Sequence, residues 1–458
     1  MVTGDNDRRP EAAGALYRAL WRWHFYAGLA VAPFLLILSI TGAIYLFNDE
    51  IEDRLNPGLR FVTTQAPAMP VSHWIAAAQM AHPGTVTRVD LPASPDRPGI
   101  VSITPATGAP LQVAVEPGTM RVMGASVYER TLTGFARVLH GTLTIGTWGD
   151  HIVELVACWT LVLLATGLYL WWPRGTRINL GGVFFPRPWL RGRLLWRDVH
   201  MTVGVWTTVL ILFMILTGLP WAEIQGRIVR QGVTALGIGY PVNRTAPQSV
   251  PLKNVLRDAP WTLEETPLPQ SQHHDHSGAG SPASGRDTAA EAGVDGIVAG
   301  LKRYGLTGGY ALLLPAGPTG VYTASVYPNQ PQGQRTLFFD RYSGALIRET
   351  GYRDYGWGAK AIELGVQLHM GNYFGRINQI VMLLPCLGII LLVVTGIGMW
   401  WKRRPSGRLA PPPKVPEARL KGAMILMGVA GLLLPLFGAS LIAVIVFDRV
   451  AMALHASR

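Results

Sequence analysis

The chain has little cysteine and little charge for its length. Of its 458 residues two are cysteines, Cys158 and Cys386, and 15% are charged, whereas 49% are apolar. Both cysteines lie inside long apolar runs, which indicates small packing residues. No C-x-x-C-H motif occurs, which excludes covalent attachment of a c-type haem. The sequence also lacks a Walker A motif, a strand-bound G-x-G-x-x-G motif and a Ser/His/Asp elbow, so no common nucleotide or hydrolase site is indicated.

Long apolar stretches are abundant instead. Five of them are long enough for a helix to cross a bilayer, which takes roughly 20 residues. The first run is too long for the apolar region of a signal peptide, and no small-x-small cleavage site precedes the acidic cluster at 49–53. The sequence therefore predicts a multi-pass membrane protein surrounded by lipid. The predicted transmembrane spans are 25–47, 150–172, 201–221, 376–401 and 422–447.

The distribution of Lys and Arg predicts the orientation of these spans. Basic residues are concentrated in three short segments, 1–24, 173–200 and 402–421. Short basic segments stay on the cytoplasmic side, so the N-terminus is expected to be cytoplasmic. The net charge of +12 reflects this pattern, and charges that flank spans do not form a face for nucleic acid. The remaining segments are expected outside: 48–149, 222–375 and the tail 448–458.

Four histidines recur in a duplicated frame. His24 and His200 each stand 17 residues before a Thr-Gly pair, and His140 and His369 each stand 26 residues before one. The second match continues without a gap through a glycine and a Trp-Trp pair. A helix–domain–helix unit is therefore duplicated, with two histidines in each copy. The matched positions are Thr41-Gly42 with Thr217-Gly218, Thr166-Gly167 with Thr395-Gly396, Gly146 with Gly375, and Trp171-Trp172 with Trp400-Trp401.

The duplicated frame predicts which histidines share a depth in the membrane. Each copy contains two spans, so both copies have the same orientation and the repeat axis runs along the membrane normal. His24 is then level with His200, and His140 with His369. A helix of 26 residues would measure roughly 39 Å, more than a hydrocarbon core of about 30 Å, so a helix break is expected near Gly146 and Gly375. Histidines in register between helices are a usual way to hold haem iron, although a single histidine at a helix end is more often an interfacial or capping residue.

Other histidines and arginines are weaker candidates for binding haem or a metal ion. His151 can share a helix face with His140, but its repeat counterpart is an isoleucine, so a structural or supporting role is favoured. The linker 241–293 is rich in Pro, Ser, Gly and His, which favours a solvated linker over a transition-metal site. Arg22 and Arg197 flank the inner histidines and either meet haem propionates or set the topology. The linker histidines are His273, His274 and His276.

The two outer segments each predict a small α+β unit. A helix-like stretch precedes short strand-like runs in both, and Pro and Gly separate the runs as turns do. The predicted fold is thus a membrane all-α bundle of five transmembrane helices with two periplasmic α+β domains. The first unit contains 72–81, 86–92, 99–105 and 111–126, and the second contains 293–304, 308–315, 320–328 and 335–349.

Several stretches resemble the PepSY-associated transmembrane-helix family of iron-regulated bacterial inner-membrane proteins. They are the WRWHFYAGL opening, the TGAIYLF and TGLYLWWPR span ends, the LH-G...G segments and the FDRYSGAL strand-turn-strand, which together extend the likeness over about residues 18–404. The resemblance implies PepSY-like outer domains and a location in the bacterial inner membrane. Some members are similar to di-haem b reductases that deliver electrons to ferric siderophores in the periplasm.

The leading hypothesis is an electron conduit with two haem b groups, held by His24 with His200 and by His140 with His369. The cytoplasmic loops are too short for a flavin or nicotinamide domain, so the donor would be a quinol or a separate cytoplasmic reductase. The acceptor would be a ferric siderophore or another ferric chelate, and no catalytic residue is assigned. Side chains suited to an anionic chelate near the outer pair are Arg137, Trp148, Tyr373 and Arg376.

Two other hypotheses stay open. One is a membrane-anchored PepSY binding or regulatory protein without redox activity, which gives no reason for four histidines in register. The other is an iron or siderophore permease, which charged span centres would favour, although most span centres here carry no charge.

Overall fold

The computed structural model describes residues 8–64, 66–174, 180–240, 251–252, 261–264, 267–271, 292–404 and 421–456. The chain divides into two compact units. One comprises Met1–Leu46, Ala136–Gln231 and Leu368–Arg458, and the other comprises Phe47–Phe135 and Gly232–Gln367. We call them the helical unit and the sheet unit. Most of the linker 241–293, with its three histidines, lies outside the described residues.

The regular elements follow in chain order. The helices are α1 (Arg8–Leu46), α2 (Asn48–Leu55), α3 (Pro57–Arg60), α4 (Val71–Ala81), α5 (Leu132–Thr142), α6 (Thr147–Trp171), α7 (Arg193–Gly218), α8 (Glu223–Ala235), α9 (Gly293–Leu301), α10 (Trp357–His369), α11 (Arg376–Arg403), α12 (Lys421–Leu433) and α13 (Pro435–Ala456). The strands are β1 (Thr85–Leu91), β2 (Gly99–Thr104), β3 (Leu111–Val115), β4 (Val122–Ser126), β5 (Tyr310–Leu313), β6 (Val321–Val326), β7 (Arg335–Asp340) and β8 (Leu346–Gly351).

Four long apolar helices form the core of the helical unit. Helix α1 packs against α6 and α11, and α7 packs against the same two helices, so the four close into a bundle. Among the described residues, these four helices are long and apolar enough to cross a membrane. They confirm four of the predicted spans as membrane helices. The membrane-length segments are Leu16–Leu46, Thr147–Trp171, Arg193–Trp221 and Arg376–Arg403.

The third span begins earlier than its hydropathy indicates. The sequence places 193–200 in the basic loop, but α7 already begins at Arg193, so His200 lies inside the helix. The cap residue Gly192 has φ 61° and ψ −137°, a region that glycine occupies readily. Arginines in the first turns can direct their charged ends away from the apolar region, so a boundary drawn by charge falls inside the true helix.

The fifth predicted span, 422–447, is not one continuous helix. The stretch is divided into α12 and α13, and Pro435 starts the second helix. Proline lacks an N–H group and its ring obstructs the preceding turn, so a helix ends before it. The two apolar parts, Met424–Leu433 and Pro435–Phe447, are shorter than the four spans of the bundle, and a fifth crossing is not confirmed. Helix α13 packs on α6, where Trp159 Nε1 donates to Ser440 Oγ at 3.1 Å.

Glycines in an unusual backbone conformation separate the short helices α5 and α10 from the long helices that follow. Gly146 caps α6 with φ 63° and ψ −141°, and Gly375 caps α11 with φ 58° and ψ −134°. The helix breaks expected at these two glycines are therefore present. They separate His140 and His369 from the membrane-length helices.

Replacing Gly146 with alanine should destabilise the protein by about 1–3 kcal/mol, because a side chain is strained in this region of φ and ψ. A Cβ at Gly146 would contact nothing within 4 Å, so the effect isolates backbone strain from packing. The control is Gly296→Ala in α9, where a Cβ also has open space and the backbone is helical. Thermal unfolding should show a lower Tm for Gly146→Ala and no loss for Gly296→Ala. Equal Tm values for the two variants would show that alanine is not strained at position 146.

The sheet unit is built on one eight-stranded antiparallel sheet. Its strand order is β4-β3-β2-β1-β5-β6-β7-β8, and every strand overlaps a predicted strand-like run, with β1 starting one residue earlier and β8 ending two residues later than predicted. The two outer segments contribute four strands each and join through β1 and β5, with Leu91 opposite Tyr310. Pairing satisfies backbone groups that two separate sheets would leave at exposed edges. Helices α4 and α9 pack against each other, and their buried residues share a core with the sheet, including Trp74 and Leu301.

Candidate functional site

The four histidines of the duplicated frame all lie in the helical unit, each bonded to a threonine. His24 is in α1, His140 in α5, His200 in α7 and His369 at the end of α10. In every case Nδ1 of the ring lies within hydrogen-bonding distance of the Oγ1 atom of a Thr-Gly pair on another helix. The distances are 2.9 Å for His24–Thr166, 3.0 Å for His140–Thr41, 2.9 Å for His200–Thr395 and 2.9 Å for His369–Thr217.

The threonine bonds determine which ring nitrogen carries the proton. A hydroxyl has a single proton, and each of these threonines donates it to the carbonyl oxygen four residues earlier, at 2.6–2.7 Å. Each Oγ1 is therefore available as an acceptor, and Nδ1–H of the histidine is the donor. The tautomer is assigned from this network. It leaves Nε2 unprotonated on all four rings, which is the form of imidazole that binds a metal.

The glycine of each Thr-Gly pair makes room for the histidine ring. A Cβ placed on Gly42 would lie 3.3 Å from Cε1 of His140, and one on Gly167 would lie 3.2 Å from Cε1 of His24. The equivalent distances at Gly218 and Gly396 are both 3.5 Å, to His369 and His200. Threonine and glycine thus act together, since threonine bonds the ring and glycine lets it approach the helix. The sequence pattern located the Thr-Gly pairs and indicated close approach of helices there. It did not show that their threonines bond to the histidines.

The histidines form the two pairs that the duplicated frame predicts. The ring centroids of His24 and His200 are 6.4 Å apart, and the ring planes are nearly perpendicular at 84°. His140 and His369 are close enough to interact electrostatically. Burial, followed by His140, lowers the pKa of His369 to about 4, so this ring is neutral at pH 7.

The inner pair has the spacing that one shared metal ion requires. Two imidazoles that bind one ion on opposite sides, through bonds of about 2 Å, have centroids roughly 6.3 Å apart. The observed 6.4 Å agrees with this value. The unprotonated Nε2 atoms and the small residues beside the rings also suit a metal held within a flat macrocycle. The donor set therefore fits haem iron.

The arginines near the inner pair have protein partners. Arg187 makes two hydrogen bonds to the buried Asp198, at 2.7 and 3.1 Å, and Arg197 makes one at 3.2 Å. Arg22 lies over the ring of Tyr26, 5.6 Å from its centroid. Asp198 is fully buried two residues before His200, so this ion pair network fixes the first turns of α7. Arg197 thus has a structural role whether or not it also meets a propionate.

The structure places the predicted chelate-binding residues at the starts and ends of helices. Arg137 is in α5, Trp148 is in the first turn of α6 and Arg376 is the first residue of α11. Trp148 is 77% exposed, and Tyr373 packs edge-on against Phe374 with centroids 4.7 Å apart. Trp148, Tyr373 and Arg376 therefore lie in or beside the helix breaks that follow His140 and His369, whereas Arg137 lies before the first break, inside α5.

One further cluster was not found from the sequence. Among the described residues, Asp150, His151 and Glu154 form a group whose possible ligand atoms all lie within 4.8 Å of one another. The sequence draws attention to His151 only through its spacing from His140. The two carboxylates have no equivalent in the second repeat that would have made them stand out.

The fold and site define the class of the protein as a multi-pass membrane protein whose helical unit contains two histidine pairs. The family model of the PepSY-associated TM region matches residues 21–403. The chain therefore belongs to this family, as the sequence resemblance implied. No relative is found among functionally curated proteins.

Proposed function

We propose that the protein carries electrons across a bacterial inner membrane to a ferric chelate, using two haem b groups held by His24 with His200 and by His140 with His369. The observation that carries this proposal is the fourfold bond from histidine Nδ1–H to threonine. It leaves four Nε2 atoms free, and the measured pair has the spacing of a shared ion. Bound haem supplies reversible one-electron chemistry.

The residues around the histidines then account for the orientation of the ligands and for the approach of the electron acceptor. The threonines fix the ring tautomer and orientation, and a bonded Nδ1–H makes the imidazole a stronger ligand. His140 and His369 would hold the outer haem, which would supply the electron, so the acceptor need only approach this pair without binding the same iron. One electron converts Fe(III) to Fe(II), which is softer and less charged and binds hard oxygen chelators more weakly. The donor would be a quinol or a cytoplasmic reductase.

Neither alternative hypothesis explains this arrangement. An anchored binding protein does not require a neutral imidazole with a fixed tautomer at four matched positions. A permease requires polar groups that open a path through the span centres. Within the described spans, the buried Glu154 is near the start of α6 and accepts bonds from the backbone of α8, so it does not define such a path.

The proposal is tested with purified, chemically reduced protein and a ferric chelate. We expect the protein to become oxidised as the chelate is added, with release of Fe(II) that a ferrous-specific dye detects. The same chelate loaded with Ga(III), which matches Fe(III) in charge and size but cannot be reduced, is the control. Equal oxidation by the gallium and iron chelates, or no oxidation by either, would contradict the proposed activity.

Thr395 should affect the reduction potential of the inner haem, because its Oγ1 accepts a hydrogen bond from Nδ1–H of His200. Thr395→Val removes this acceptor and makes the imidazole a weaker donor, so the reduction potential should rise by tens of millivolts, on the order of one hydrogen bond's free energy. Thr395→Ser retains the hydroxyl and should keep the wild-type potential. A redox titration checks this, and identical potentials in Val and Ser variants would show that the bond has no electronic role.

The proposed orientation places the N-terminus inside and the sheet unit in the periplasm, as the basic segments indicate. A reporter fused at Ser94 should behave as periplasmic and one at Arg191 as cytoplasmic. Fusions that report activity only outside or only inside the cell distinguish the two positions. A cytoplasmic result at Ser94 would mean that the topology is the reverse of the proposed one. The chelate would then not meet the outer histidine pair from the periplasm.

A further inference from the structure

The start of α6 contains a second possible metal site, separate from the four histidines. Glu154 follows Asp150 by four residues and His151 by three, so the helix brings each of these two side chains beside Glu154. One nitrogen and two carboxylate oxygens there all lie within 4.8 Å of one another. Two atoms bound to one ion at about 2.1 Å cannot be more than about 4.2 Å apart, so small side-chain rotations suffice to close the cluster.

A structural role explains the carboxylates only in part. Asp150 Oδ1 accepts a bond from the backbone of Glu223 at 2.9 Å, and the two Glu154 oxygens accept bonds from Ile224 and Gln225 at 3.1 and 3.0 Å. These bonds cap the first turn of α8, where backbone N–H groups need acceptors. Each Glu154 oxygen has a further lone pair, and the second Asp150 oxygen is not used in the cap.

His151 has no part in that cap. Its Nδ1 atom is buried and has no hydrogen-bond partner, and its ring packs edge-on against Trp148 with centroids 6.1 Å apart. Gln225, whose backbone bonds Glu154, also has a buried Oε1 atom without a partner. Buried polar atoms are normally satisfied by protein, water or an ion, so the unpaired Nδ1 of His151 calls for a partner from outside the chain. Trp148, in the first turn of the same helix, is exposed.

We propose that Asp150, His151 and Glu154 bind a divalent first-row transition-metal ion of the class of Mn²⁺, Fe²⁺ or Zn²⁺. One imidazole with two carboxylates suits these ions better than Ca²⁺ or Mg²⁺, which favour oxygen ligands alone, or Cu⁺, which favours sulfur. The ion would balance two acidic groups and satisfy the unpaired nitrogen of His151. The site does not depend on haem at the two histidine pairs.

The test uses full-length protein in detergent, stripped with a chelator and titrated with Mn²⁺ while electron paramagnetic resonance reports the free ion. The starting protein carries His273→Ala, His274→Ala and His276→Ala, which removes competing histidines of the linker. We expect one bound equivalent. His151→Phe keeps the ring contact with Trp148 but removes both nitrogens, so it should weaken binding by at least about tenfold, since loss of an outer partner alone costs roughly 10–100-fold.

His73→Ala is the matched control, because His73 is an exposed histidine of α4 and should leave binding unchanged. His151 makes no capping bond, so its replacement should leave α8 in place, and unchanged thermal unfolding verifies this. Asp150→Asn provides a second variant, with the same expected loss of affinity. No bound Mn²⁺ in the starting protein, or equal affinity after His151→Phe, would overturn the site.

Discussion

Replacing His200 with alanine should remove or convert one of two haems while the other stays low-spin. His200 and His24 face one another, whereas His140 and His369 form a separate pair. Loss of one ligand therefore affects only the inner site. His24→Ala should give the same spectrum as His200→Ala, because both leave the same iron with one ligand. Absorbance and haem content per chain measure the effect.

His73→Ala is the control for these variants, since it removes an exposed histidine from the sheet unit. It should retain both haems. The pairing would be wrong if each single substitution removed both haems equally from a folded protein. That result would indicate one shared site instead of two.

Replacing His369 with alanine should abolish reduction of an external ferric chelate. The proposal places the acceptor beside the outer pair, so loss of this pair interrupts electron delivery at its last step while the inner haem still accepts electrons. Chelate reduction should fall to the background rate, and the inner haem should still be reduced by the donor. Both quantities can be followed in one experiment, by the ferrous dye and by haem absorbance.

The variant His73→Ala is the comparison here too, because His73 is an exposed histidine of α4 that belongs to neither pair. It should retain both haems and most of the reduction. Wild-type chelate reduction by His369→Ala, with the inner haem intact, would show that the chelate does not receive electrons at the outer pair.

Much of the fold can be predicted from local patterns in the sequence. The eight strands overlap the predicted strand-like runs, and the breaks at Gly146 and Gly375 follow from comparing helix length with membrane thickness. Pairing of β1 with β5 could not be predicted, because strand runs do not specify their partners across a separation of more than 200 residues. The division at Pro435 could not be predicted from proline alone, because Pro33 and Pro385 lie inside the continuous helices α1 and α11.

The candidate site, too, could be predicted from the sequence only in part. The equal spacing of His24 and His200 before their Thr-Gly pairs predicts equal depth, and the structure brings their rings together. The same spacing does not reveal that His24 bonds Thr166 instead of Thr41, because that depends on how α1 and α6 lie side by side. An antiparallel arrangement of neighbouring spans places the start of one beside the end of the next. This antiparallel arrangement therefore predicts the bond between His24 near the start of α1 and Thr166 near the end of α6.

The carboxylates beside His151 were missed for a different reason. Asp150 and Glu154 are ordinary residues at the start of a helix, and only the position of α8 shows that their carboxylates cap the first turn of that second helix. Their relation to the unpaired His151 nitrogen appears only in three dimensions.

The most direct test of the central claim is the haem content and reduced-minus-oxidised spectrum of the full-length protein purified from haem-sufficient cells. Two haem b per chain are predicted, both low-spin because each iron has two histidine ligands. The nearly perpendicular rings of His24 and His200 predict a strongly anisotropic low-spin resonance for the inner iron. A colourless folded protein would contradict the claim, and so would a single haem per chain.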